Sequence, residues 1–313
     1  MPLEDSSSLK VPYDLRPAKQ AERRMFLDLL STLGNLGFPI RKYHYVGFGS
    51  IFFHDHRLFH RELGISRMTS VEGFPPLYKR CRFNQPFSHV KLFQGLSSDY
   101  VPTIEPDDQY VVWFDYDFSL NRIVCEDLLG AASLLCPGSI LIVTIDTHLP
   151  DEIANLSLRK LFRYFREEIP NYAHGGLAVS DFAGDNRLMT FLKVVMRCIT
   201  RGLSTRDGIT FEPLINMTYA DGHKMLTVGG MVADENARAS LKSIPLEQLP
   251  FIRRKIPGKP FHIPRFVFTK RELLSMEASC PGGQLDLKTG VKKSEFKKFL
   301  PFYRYWPTYS EIL

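Results

Sequence analysis

A chain of 313 residues with 44% hydrophobic content can bury a core for one large α/β domain with an appendage, or for two domains, without disulfide staples. Its five cysteines (Cys81, Cys125, Cys136, Cys198, Cys280) are odd in number, form no C-x-x-C pair and have apolar neighbours. Reduced thiols and a cytoplasmic location are therefore expected, and thiolate metal sites are not. The net charge of +6 is uneven, since residues 251–305 hold 13 Lys and Arg against 4 Asp and Glu. That segment reads either as a solvated surface or as a contact for nucleic acid or another acidic partner.

Residues 1–12 read as a loose tail with no signal peptide, and no apolar run is long enough to span a membrane, so no membrane association is expected. A helix follows from Arg16-Pro17, with Met25, Leu29, Leu33 and Leu36 at helical spacing and a stop at Gly34 or Gly37. Its first turns carry Arg16, Lys19, Gln20, Arg23 and Arg24, either as a solvated face or turned toward the next loop. A strand from Tyr43 runs into Gly47-Phe48-Gly49-Ser50, and the pattern Ile51, Phe52, Leu58, Phe59, Leu63 predicts a helix.

Further strands are predicted at Met68–Glu72, Val90–Phe93, Tyr110–Phe114 and Ser139–Ile145, with Pro75-Pro76 as a break and helices around Tyr78 and over Asn121–Leu135. Residues 151–172 read as one amphipathic helix, and Leu188–Ile199 as a helix or a strand. Phe211–Thr218 and Met225–Val232 form a hairpin about Tyr219–His223. Beyond Leu241, prolines alternate with aromatic and basic residues, ending in Phe302-Tyr303-Arg304-Tyr305-Trp306, which reads as an anchor, a pocket wall or a homo-oligomer surface. The resulting division is 1–40, a tail and helix; 41–240, an α/β domain; and 241–313, an irregular extension.

Alternating strands and helices at this spacing predict a doubly wound, mostly parallel sheet closed by an antiparallel hairpin. Four strand tips in succession are polar: Gly47 and Gly49, Glu72, Gly95 to Ser98, and Asp115 with Asp117. Polar groups at carboxyl strand ends outline a ligand crevice. Glycines admit close backbone approach, and Glu72, 23 residues after Gly49, is placed to accept from two ribose hydroxyls. The third glycine of a dinucleotide loop is replaced by Phe52, which disfavours a diphosphate. S-adenosylmethionine, with ribose and adenine but no phosphate, needs only the loop and the acid.

On these residues, 43–147 resemble the seven-stranded S-adenosylmethionine-dependent methyltransferases, in pattern the O-methyltransferases of the catechol and caffeoyl-CoA type. The hairpin at 211–232 resembles that family's last two strands. The resemblance implies that Gly47, Gly49 and Ser50 border the methionine moiety, Glu72 holds the ribose, Gly95, Leu96 and Ser97 lie by the adenine, and Asp115 lies at the reaction cleft. Methyl transfer needs the acceptor aligned with the S–CH3 bond and, for a hydroxyl, its proton removed. Asp115, Asp117 and His148 are the catalytic candidates.

The family's magnesium-binding aspartate-asparagine pair appears here as Asp146-Thr147, leaving Asp115 and Asp146 as candidates for a divalent cation. His54-Asp55-His56 lacks a third ligand and does not place both imidazoles on one helix face. No D-P-P-Y tetrapeptide is present, which argues against DNA base methylation. A non-catalytic nucleic-acid- or protein-binding module on the same fold is the alternative.

Overall fold

The structure, a computed structural model, describes residues 16–173, 176–184, 186–282 and 290–307. The tail expected over 1–12 lies outside the described residues. A single mixed sheet is built from β1 (His44–Gly47), β2 (Arg67–Glu72), β3 (Val90–Gln94), β4 (Tyr110–Ser119), β5 (Ile140–Asp146), β6 (Thr210–Ala220), β7 (Lys224–Ala233) and β8 (Phe261–His262). Their order is β3-β2-β1-β4-β5-β7-β6-β8. Only β7 runs antiparallel to its neighbours, β5 and β6. The seven predicted strands are all present, and the two-residue β8 extends the sheet by pairing parallel to β6.

The order reverses direction at β1, whose neighbours are β2 on one side and β4 on the other. This is the topological switch point, where an open parallel sheet leaves a crevice beyond its carboxyl ends. The interior strand β5 is buried at every position, as expected of a strand covered on both faces.

One face is covered by α1 (Pro17–Asn35), α2 (His54–Leu63) and α3 (Pro75–Asn84), whose apolar sides share a core with Trp113, Ile142 and Met217 of the sheet. The other is covered by α4 (Arg122–Leu134), α5 (Leu158–Glu168) and α6 (Asn186–Leu203) around Val112, Phe114 and Val143. Asn121 caps α4 by accepting from Val124 N at 3.1 Å.

Local departures from the sequence reading have physical causes. Helix α2 begins at His54 rather than near Ile51, because Ser50 and Phe53 adopt positive φ of 46° and 54° and turn the chain first. Pro75 and Pro76 open α3, where a missing N–H is harmless, rather than preceding it. The helix predicted over 151–172 is interrupted at Asn155-Leu156-Ser157, residues including two that favour caps over helix interiors. Leu188–Ile199 lies within α6.

The carboxyl-terminal segment packs on the α1 face. Its helices are α7 (Glu235–Ser243), α8 (Lys270–Ala278) and α9 (Lys293–Phe299), and Phe251, Ile263, Met276 and Phe299 are fully buried in the same core as α1. Arg24 donates to the Trp306 carbonyl at 3.0 Å, and the Tyr305 hydroxyl donates to Asp28 at 2.7 Å. The aromatic cluster therefore anchors the segment.

Helices α4 and α6 approach closely at Gly202, where a β-carbon would run into the Leu129 carbonyl oxygen and lie 2.9 Å from Ala132 Cβ. Gly202→Ala is expected to destabilise the fold by about 1–3 kcal/mol through overpacking. Urea denaturation should show a lower midpoint with an unchanged slope.

Candidate functional site

Beyond β1 the chain turns sharply. Gly49 N donates to Ser70 Oγ at 3.0 Å, which ties the loop to β2. A β-carbon on Gly47 would meet the Tyr45 hydroxyl, and one on Gly49 would lie 2.8 Å from the Phe53 ring. Packing within the protein thus requires both glycines. Positive φ at Ser50 and at the buried, bulky Phe53 marks strain at the switch point, a feature that clusters at ligand sites.

Glu72 ends β2 half-buried. Its Oε1 accepts from Phe74 N at 2.9 Å, while Oε2, among the described residues, meets only the Cys81 thiol, at 3.8 Å. Burial pushes the Glu72 carboxyl above its usual range, and the charge of Asp117 adds to the effect. The exposed Asp117 is thereby brought into electrostatic range of Glu72 across the β1 tip. The β3 tip closes this side, since Gly95 N donates to the Glu72 carbonyl at 3.1 Å. A β-carbon on Gly73 would lie 2.6 Å from the half-exposed Leu96. Ser97 is turned inward, 3.3 Å from the Tyr116 hydroxyl, which itself donates to Asp127 at 2.5 Å.

The other half of the crevice is filled by charge. Lys19 of α1, only 3% exposed, places Nζ 2.7 Å from Asp115 Oδ1 and 2.8 Å from Glu22 Oε2, and 4.4 Å above the Trp113 ring. Next to this pair, buried Arg23 bonds Asp55 through Nε. A hydrogen-bonded chain supports Glu22: Trp113 Nε1 donates to Thr144 at 3.0 Å, Thr144 contacts Thr227 at 2.9 Å, and Thr227 donates to Glu22. Because the Thr227 proton goes to Glu22, the middle bond must run from Thr144 to Thr227.

Three carboxylates here face two cations. Burial lowers the Lys19 pKa less than Asp115 and Glu22 raise it, so the ammonium is held charged. Burial pushes the Glu22 carboxyl upward, against the pull of Lys19.

At the β5 tip, Asp146 accepts from His148 N at 2.7 Å and bonds His223 Nδ1 at 2.6 Å. The two candidate cation ligands, Asp115 and Asp146, are thus each engaged by a nitrogen. No group of three metal-ligating side chains forms among the described residues. In the His54-Asp55-His56 run, Asp55 faces Arg23 and His56 Nε2 lies 3.2 Å from the Thr69 carbonyl. Burial lowers the His56 pKa to about 4, so this ring is neutral.

Residues 11–313 match the sequence family described as "Putative O-methyltransferase". The chain belongs to this O-methyltransferase family. No curated protein matches the sequence. Among solved structures, the chain is similar to an O-methyltransferase from Bacillus cereus in complex with SAH, at 14% identity and TM-score 0.39, covering 71% of this chain and 84% of that one. Cofactor-bound Rv0187 from MTB shows 15% identity and TM-score 0.38, over 74% and 95% of the two chains. Trm1 from Pyrococcus horikoshii, in complex with S-adenosyl-L-methionine, shows 13% identity and TM-score 0.43, over 72% and 57%. The strand order with its reversed β7 is the methyltransferase architecture in this chain itself.

Within this O-methyltransferase-family fold, the predicted Gly47, Gly49, Ser50, Glu72, Gly95 and Leu96 lie at or just beyond the ends of β1, β2 and β3, whereas Asp115 and Asp117 lie inside β4, which continues to Ser119 past the predicted end at Phe114. His148 lies further along, exposed beyond β5. Sequence reasoning left open the inward face of α1, where Lys19, Glu22 and Arg23 alternate with apolar residues at helical spacing; charge so placed was the available signal. His223 was read only as part of a turn, and nothing local distinguishes it.

Lys19→Met leaves Glu22 and Asp115 facing each other without their cation, and should destabilise the protein by about 3–5 kcal/mol. Adding Glu22→Gln should recover part of the loss. Chemical denaturation of the single and double variants measures both.

Proposed function

We propose that the crevice binds S-adenosylmethionine and transfers its methyl group to an oxygen nucleophile. The observation that carries this reading is Glu72: a half-buried carboxylate at the β2 tip, beside the switch point, with one oxygen whose partner among the described residues is a thiol 3.8 Å away. Two ribose hydroxyls donating to that group would satisfy it. Gly95 and Leu96, with the backbone of Ser97, would border the adenine, and the loop Gly47–Ser50 the methionine moiety. When bound, the sulfonium supplies the electrophilic methyl group. Asp115, neutralised by Lys19, would orient the acceptor, with Asp117 and His148 at the rim.

A cytoplasmic site of action is supported by the five free cysteines. The basic extension supports an acidic partner, because on α9 Phe296 and Phe299 are buried while Lys292, Lys293, Lys297 and Lys298 remain exposed. Association with RNA or DNA that weakens steeply between low and moderate salt is the expected behaviour. Salt-independent association, or none, would remove this partner.

Glu72→Ala should weaken S-adenosylmethionine binding by about 10- to 100-fold, the loss expected for hydrogen bonds to a charged group. Ribose donors need the ionised carboxylate, and the Glu72 pKa is raised, so protonation should compete with the ligand as pH falls. Isothermal titration of wild type at neutral and mildly acidic pH, and of the variant, reads both. Absence of binding at millimolar ligand would refute the methyltransferase reading.

A further inference from the structure

We propose that His223, oriented by Asp146, is the general base that removes the proton from the methyl-accepting hydroxyl; this rests on the methyltransferase reading above. Asp146 ends β5 with its side chain only 8% exposed, whereas that of His223 is 65% exposed. Both carboxylate oxygens are used, Oδ1 by His148 N at 2.7 Å and Oδ2 by His223 Nδ1 at 2.6 Å. The carboxylate therefore cannot swing away from the imidazole. With Nδ1 directed at a buried acceptor, the neutral ring carries its proton there and presents the Nε2 lone pair outward. The His148 ring stacks on it, centroids 5.0 Å apart and planes 29° apart, which fixes its orientation from a second side.

The sheet register puts this pair beside the crevice. Thr144 pairs with Asp115, and Asp146 follows two residues later on the same face, about 7 Å along the strand. The turn that carries His223 is also tied to α1, because Asp221 accepts from Lys19 N at 2.9 Å and Ala18 N at 3.3 Å. Asp146 bonds the imidazole and the His148 ring stacks on it, while Asp221 and Lys224 flank it in its own turn.

Asp115 is already engaged by Lys19 Nζ, at 2.7 Å. As the acceptor oxygen bonds to the methyl carbon, the S–CH3 bond breaks and its electron pair stays on sulfur, leaving a neutral thioether. The hydroxyl proton passes to His223 Nε2. The imidazolium is stabilised by Asp146 and discharges to solvent through its exposed edge.

Long-range 1H–15N magnetic resonance of the full chain tests the geometry without a known acceptor. The expected result is a proton held on His223 Nδ1, the tautomer lost in Asp146→Asn, with ring signals that shift when S-adenosylhomocysteine saturates the protein while those of His262 do not. An Nε2–H tautomer, or a His223 signal unmoved by bound ligand, overturns the assignment. Failure of the whole protein to bind ligand by calorimetry overturns the methyltransferase reading instead. With catechol as the probe acceptor, His223→Gln should lower kcat about 100-fold or more and abolish the acid limb of the pH–rate profile. The KM for S-adenosylmethionine should stay within about twofold, since a group that acts only on the acceptor proton leaves cofactor binding alone. Unchanged kcat in His223→Gln overturns the proposal.

Discussion

The buried ion ladder of Lys19, Glu22, Asp115, Arg23 and Asp55 is the constraint on which the rest of this molecule depends. Charges that leave water need compensation nearby, and here α1 is compensated by groups from three other elements. Lys19, Glu22 and Arg23 come from α1, Asp115 from the β4 tip, Asp55 from α2, and Thr227 completes the set from β7. The helix can therefore dock in only one register. Sliding it by a turn would separate Lys19 from Asp115 and Arg23 from Asp55. An excess of one carboxylate over the cations is accommodated where burial is deepest, at Glu22, whose carboxyl is pushed up.

That docking shapes the crevice. The amino-terminal end of α1 covers the sheet beyond β4 and β5, whereas the tips of β1, β2 and β3 stay open around Glu72, Gly73 and Leu96. On one side Gly73 and Leu96 are exposed beside Glu72, and on the other the polar side chains are already paired. Strain at Ser50 and Phe53 lies where the two meet. The protein keeps this conformation because Phe53 is enclosed by core residues, which over-determine the turn.

The carboxyl-terminal segment supports the same element from behind. Tyr305 and Trp306 hold Asp28 and Arg24 on the outer side of α1, opposite the ladder, so the helix is clamped between sheet and extension. A cavity of about 490 Å3 between α1, α2 and this segment is lined by Arg24, Asp28, Leu58, Glu62, Arg304 and Tyr305. It contains none of the residues of the crevice. Clamping on two sides explains how an irregular stretch rich in proline can be well packed: its aromatic side chains, not its backbone ladder, carry the burial.

The seven strands, the alternation with helices and the closing hairpin were legible in the sequence because each depends on local signals: apolar runs of strand length and glycine or proline at turns. These by themselves determined the fold class; the order of the strands in the sheet came from the structure. What only the tertiary structure decided is which polar side chains are free to act. Ser97 reads as a cleft residue but bonds inward to Tyr116, Asp115 reads as a lone acid but is paired with Lys19, 96 residues away, and Asp146 is paired with His223, 77 residues away. Pairing between residues so distant in the chain leaves no periodicity and no motif. It is set by how helix and sheet dock, and docking is a property of the assembled core.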